Sequence, residues 1–150
     1  MSMPNTDELN MLLASGMAAF EAKHFSRAAK LLSPLADAGL AEAQYRMGII
    51  TQNGLGTARD PQAALRWLSA AAAQDHALAQ HGLGFIYLEG EEGVAPDPQQ
   101  ALHWFRLAAE QGLAGSAATL GRMYADGIGV PPDPEQAKQW YRKAGFDEFA

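Results

Sequence analysis

The chain contains no cysteine. That excludes disulfides, thiolate nucleophiles and cysteine zinc sites. Positive charge is also in short supply: 11 Lys and Arg stand against 17 Asp and Glu, a formal net charge of −6. Nucleic acids and anionic membranes are held by cationic side chains that neutralise phosphate, so no nucleic-acid partner is expected. No run approaches the ~20 apolar residues of a membrane-spanning helix, so no membrane insertion is expected. The apolar stretch from Met11 to Phe20 follows Asp7 and Glu8, not a basic segment. It therefore reads as a first helix and not as a secretory leader. These absences make the cytoplasm the expected location.

Catalytic and cofactor motifs are missing as well. No serine lies in a Gly-x-Ser-x-Gly elbow. The glycine pairs are followed by no Lys-Ser/Thr, so they are not phosphate loops. The histidines His24, His76, His81 and His103 form no His-Glu-x-x-His pattern. The acidic residues Glu89, Glu91, Glu92 and Asp97 lack EF-hand spacing and read as a solvated charged loop. No cofactor, no metal site and no catalytic residue is expected.

What the chain has is a repeated pattern. Met47-Gly48, Gly54-x-Gly56, Asp60-Pro61, Ala64, Trp67 and Ala71 return as Leu83-Gly84, Gly90…Gly93, Asp97-Pro98, Ala101, Trp104 and Ala108. They return again as Leu120-Gly121, Gly127-x-Gly129, Asp133-Pro134, Ala137, Trp140 and Ala144. The period is 36–37 residues, and the extra residue of the middle copy lies in its turn, at Glu91-Glu92. Repeats of this length build solenoids, which work by offering a surface.

Each copy reads as helix A, a glycine turn, then helix B. Helix A is expected over residues 41–52, 77–89 and 115–126, with small or apolar residues at helical spacing. The glycines end it, and Asp-Pro starts helix B with a capping carboxylate and a preset φ. Helix B is expected to bury Ala64, Trp67, Leu68 and Ala71, and their equivalents. Glycine inside a helix costs about 1 kcal/mol against alanine. Gly48, Gly84 and Gly121 share one register, so they predict a close helix approach, with Ala64, Ala101 and Ala137 as the expected neighbours. A shorter hairpin precedes the repeats, with helices over residues 7–23 and 26–37, the second interrupted near Ser33-Pro34.

These residues resemble the Sel-one-like repeat family, a branch of the tetratricopeptide-like α-solenoids. Its pattern is matched nearly throughout in the third copy by Leu120, Gly121, Tyr124, Gly127, Gly129, Val130, Asp133, Ala137, Trp140 and Tyr141. The second copy matches with a longer turn. The first departs at Thr51, in place of the tyrosine, and at Leu68, in place of the second aromatic. The resemblance implies an all-α, right-handed solenoid of antiparallel helix pairs, used as a scaffold and carrying no catalytic residues. Residues 1–150 are expected to form one solenoid domain. Its parts are a tetratricopeptide-like hairpin (9–39), repeat 1 (40–75), repeat 2 (76–112), and repeat 3 with the C-terminal tail (113–150). In such folds helix A lines the concave face.

The functional candidates are the helix A positions that the repeat does not need. Tyr45 and Ile49, with His81, Phe85 and Leu88 one repeat on, predict an apolar-aromatic patch, with Arg122 at one end. The opposing reading is that the superhelix buries these side chains itself. The expected function is a non-catalytic adaptor that binds a protein or peptide segment in its concave groove. One alternative is a small-ligand binder or enzyme using His81, Glu89 and Arg122. Another is a structural self-assembly module. Phe146 and Phe149 are expected to fold over the solenoid's end, or else to touch a second molecule. A monomer is favoured over an end-to-end or tail-mediated dimer.

Overall fold

The computed structural model describes residues 5–146, which form eight α-helices and one isolated β-bridge between Glu91 and Val94. The helices are α1 (Thr6–Glu21), α2 (Phe25–Asp37), α3 (Ala41–Asn53), α4 (Pro61–Ala72), α5 (Ala77–Glu89), α6 (Pro98–Glu110), α7 (Ala114–Asp126) and α8 (Pro134–Lys143). They pair as consecutive hairpins: α1 with α2, α3 with α4, α5 with α6, and α7 with α8. The chain divides into two compact units, residues 1–74 and 75–150. In the first, α2 packs on α3; in the second, α6 packs on α7.

The helix boundaries follow from local chemistry. Asp60, Asp97 and Asp133 each precede a proline and accept a backbone N–H three residues on, from Ala63, Gln100 and Gln136. These bonds satisfy donors that have no partner within the helix. The same aspartates donate their own amides back to helix A, to the carbonyls of Thr51, Tyr87 and Tyr124 at 2.6–2.8 Å. Each turn is thereby closed onto the helix it leaves. Gly54 and Gly127 end α3 and α7 in the left-handed conformation, at φ of 65° and 71°, where a Cβ would be strained.

Helix α2 runs through Pro34 to Asp37, contrary to the expected interruption near Ser33. The proline removes only the amide that would reach the Lys30 carbonyl, and both residues are exposed. Solvent can satisfy that carbonyl, so the helix continues.

Each unit has its own core. In the first, Ala28, Leu32, Ala43 and Ile50 are fully buried. In the second, Ala101, Phe105 and Leu120 are fully buried, with Met123 and Trp140 close behind. Trp140 is buried, whereas Trp67 and Trp104 are half-buried. The tryptophan stands at the edge of the stripe, and the next residue, Leu68 or Phe105, takes the position nearest the partner helix.

That position is what the helix A glycines face. The nearest atoms to a Cβ placed on Gly48 belong to Leu68, on Gly84 to Phe105 and on Gly121 to Tyr141, all at 2.7–2.9 Å. The expected neighbours Ala64, Ala101 and Ala137 are corrected by this geometry. A large side chain of helix B, not a small one, lies against the bare backbone of helix A. The first hairpin repeats the device with Gly16 and Leu32, at 2.5 Å.

Candidate functional site

The second unit holds an open cleft of about 620 Å³ between α5, α7 and α8. Phe85, Leu88, Met123, Ile128, Tyr141 and Phe146 supply its apolar lining. Ala118 and Thr119 complete the α7 wall, and Glu89 and Arg122 bring charge to it. A cleft of this size, mostly apolar with a few polar groups, is of the kind that holds a ligand or partner side chains.

Its walls are held from behind. Phe85 lies edge-on to Phe105 at 4.9 Å between centroids, and His81 lies edge-on to both, at 5.0 and 5.6 Å. Edge-to-face pairs of this kind fix ring orientation. Phe105 is fully buried, so it anchors the cluster. Tyr141 is seated on Gly121, and Phe146 stands edge-on to it at 6.3 Å. Ile128 lies between the turn glycines Gly127 and Gly129 and packs against the core of the unit.

Phe85, Leu88 and Arg122, expected as partner-binding residues, meet in this cleft. His81 does not line it. Its Nδ1 lies 2.6 Å from the hydroxyl of Ser116, which is fully buried. Burial holds the His81 imidazole below its usual pKa, favouring the neutral ring. Arg122 is exposed and sits 3.6 Å from Asp126, one helical turn on. Such an exposed pair contributes little to stability.

Tyr45 and Ile49 belong to the first unit, where both are half-buried on α3. Beside Tyr45, Arg46 lies over the Phe20 ring at 4.8 Å and pairs with Glu21 at 2.8 Å and Glu42 at 3.0 Å. Burial raises the Tyr45 phenol above its ordinary pKa. His76 caps α5, its Nδ1 accepting the Ala79 amide at 3.2 Å. Among the described residues, no three His, Asp or Glu side chains are grouped to hold a metal ion, and no helix is long and apolar enough to cross a membrane.

Sequence reasoning missed Ile128, Tyr141 and Phe146 as cleft residues. A signal existed for Ile128, because the turn between two glycines does not require an aliphatic residue. Tyr141 was read only as part of the repeat pattern. Phe146 was read as an end cap, and Phe149, the other half of that expectation, lies outside the described residues.

The model of the Sel1 repeat family matches residues 41–76, 77–113 and 116–145. No curated protein matches the sequence. Among solved structures, the chain is similar to a Sel1 repeat protein from Oxalobacter formigenes, with 31% identity and a TM-score of 0.83. That match covers 92% of this chain and 56% of the Oxalobacter chain. The chain is also similar to c5321, described as a protective antigen present in uropathogenic Escherichia coli strains displaying an SLR fold. There the identity is 29% and the TM-score 0.49, over 80% of this chain and 33% of the other. The chain thus spans little more than half the length of the Oxalobacter protein. Three matched repeats, each built as a helix pair closed by a glycine turn and an Asp-Pro cap, place it by sequence and by fold: the chain belongs to the Sel1 repeat family.

Proposed function

We propose that this protein is a non-catalytic adaptor that binds a protein segment through the apolar cleft of its second unit. The observation that carries this reading is the cleft's lining. Phe85, Leu88, Ile128 and Tyr141 present apolar surface to an open space of about 620 Å³, and an apolar recess edged by charge is what partner side chains fill. Membership of a family of helical repeats, which act by offering surfaces, supports the same reading. Phe85 and Leu88 are the central contacts and Arg122 flanks them. Tyr45 and Ile49 are the partner contacts of the first unit taken by itself.

The rival reading, a ligand-binding or catalytic centre, needs polar groups that converge. His81, Glu89 and Arg122 were its candidates. Glu89 and Arg122 line the cleft, but His81 is turned to Ser116 behind it. The geometry therefore favours the adaptor.

Affinity capture from the cell of origin tests the proposal, comparing the wild type with Leu88→Ser. Leu88 is half-buried at the cleft, so the variant should keep its helical content and lose specific partners. A folded variant that retains every specific partner would place the binding site elsewhere.

A further inference from the structure

Gly16 of α1, Gly48 of α3 and Gly121 of α7 hold the same place. Each lies against a large side chain of the helix that follows, Leu32, Leu68 or Tyr141. The shared register lets the three helices be compared residue by residue. Five before, one before and two after the glycine stand Ala43, Met47 and Ile50 in α3, and Ser116, Leu120 and Met123 in α7. All six are buried. The apolar ones lie in cores to which the preceding helix contributes, with Leu35 and Ala36 of α2 or Leu102 and Ala109 of α6. In α1 the same positions are Met11, Ser15 and Ala18, and all three are exposed. Met11 is 70% exposed, and Leu12 beside it 40%. The face that a preceding helix covers in α3 and α7 is bare in α1.

That face has the pattern of a helix seam. Met11, Ser15 and Ala18 follow i, i+4, i+7 spacing. No charged residue occurs between Glu8 and Glu21, whereas a solvated helix face carries charge. The large side chains, Met11 and Leu12, precede the small ones, Ser15 and Ala18. When the helix is laid antiparallel on a copy of itself, about a two-fold axis at Ser15, the large half of each meets the small half of the other. The ends match as well. Asp7 and Glu8 open α1, Lys23 follows its end, and all three are exposed. Asp7 and Lys23 each stand eight residues from Ser15, about 12 Å along the axis at 1.5 Å per residue. The antiparallel arrangement therefore sets the acidic pair beside the partner's Lys23, and a parallel one would set like charges together. Such complementarity fixes direction and register more than affinity.

We propose that the bare face of α1 is a homodimer surface whose occupant is α1 of a second copy, packed antiparallel about a two-fold axis near Ser15. This dimer stands in place of the monomer expected from the sequence. The contact is isologous, so it closes at two copies. It is also small. α1 has 16 residues and is about 24 Å long, so one face of it falls short of the ~800 Å² per partner of a standard stable interface. The pairing is therefore weak and depends on concentration. It uses the first unit only, so the adaptor reading of the cleft stands or falls separately.

Sedimentation velocity of the whole chain, from about 10 μM to about 1 mM, spans the range of a weak interface. The mass should rise from the 16.0 kDa of the monomer toward twice that value. Met11→Lys, at an exposed position, should weaken association at least tenfold. Lys23→Glu should weaken it too, and Asp7→Lys with Glu8→Lys added to that variant should restore it. Because the chain has no cysteine, Ser15→Cys introduces a single thiol next to the axis, within disulfide reach of its symmetry mate. Under mild oxidation it should cross-link far faster than Gln99→Cys, an exposed control on α6. A constant monomer mass up to about 1 mM would overturn the proposal. So would self-association that Met11→Lys leaves unchanged, a charge reversal that restores nothing, or equal cross-linking of the two cysteine variants.

Discussion

Gly84 of α5 lies against the ring of Phe105 of α6, so that a Cβ on the glycine would stand 2.7 Å from Phe105 Cε1. No real Cβ occupies such a contact without something moving. The ring is fully buried and edge-on to Phe85 and His81, so it has little room to yield. This one contact joins the hairpin to the back wall of the cleft.

Gly84→Leu is therefore expected to lower stability by roughly 1–3 kcal/mol, the usual range for overpacking a core. On an open helix face the same change would stabilise, because leucine is the better helix former. Gly115 supplies the contrast. A Cβ there meets only the His81 ring, at 3.5 Å, an ordinary contact. Gly115→Ala should raise stability by up to about 1 kcal/mol. Thermal unfolding of the two variants checks both signs, and a higher melting temperature for Gly84→Leu would show that the contact is loose.

Phe105→Ala should be the more damaging of the two aromatic truncations on α6. Emptying a fully buried aromatic site costs about 3–5 kcal/mol. Trp104 is larger but half-buried, so Trp104→Ala should cost less. Urea unfolding ranks them, and the reverse order would contradict the packing described.

The paired glutamines, one buried and one exposed in each pair, give a third test. Gln111 Nε2 donates to Gln80 Oε1 and to the Asp75 carbonyl, both at 2.9 Å, and Gln80 is almost completely buried. Gln74 does the same one repeat earlier, to Gln44 Oε1 and the Gly39 carbonyl. Gln111→Ala strips a donor from two acceptors and is expected to cost about 1–3 kcal/mol. Gln80→Leu combined with Gln111→Leu should cost less than the sum of the separate changes, because the polar pair is then removed together. A double-mutant cycle with no coupling would show that the pair does not act as a unit.

His81 predicts a pH dependence. Burial lowers its pKa in the folded chain from the ordinary 6.5. The unfolded state therefore binds more protons between the folded-state pKa and 6.5, and stability rises with pH across that window. The contribution is complete above 6.5 and is lost as pH falls through that value toward the lower folded-state pKa. Urea unfolding at a series of pH values should show a fall on acidification that is shallower in His81→Gln. An equal slope in the variant would assign the effect to other groups.

The repeat register, the helix pairs, the glycine stops and the Asp-Pro starts were legible in the chain because each is local. A cap needs one side chain and an amide three residues away, and a left-handed turn needs a missing Cβ. The cleft-lining positions of the helices were partly legible for a similar reason. Phe85, Leu88 and Arg122 stood out because the pattern had no use for them, and these three meet in one cleft. What one helix presents to another is not local. Periodicity shows which face of α6 is buried, but it does not say which of Ala101, Trp104 and Phe105 arrives opposite Gly84. That depends on the axial offset and crossing of two helices, set by all the side chains between them. The tertiary structure alone chose Phe105, and by the same offset it seated Tyr141 on Gly121 and brought it, with Ile128 and Phe146, to the cleft. It alone paired Gln80 with Gln111 and turned His81 to Ser116, because such contacts exist only when residues 31 to 35 positions apart are packed side by side.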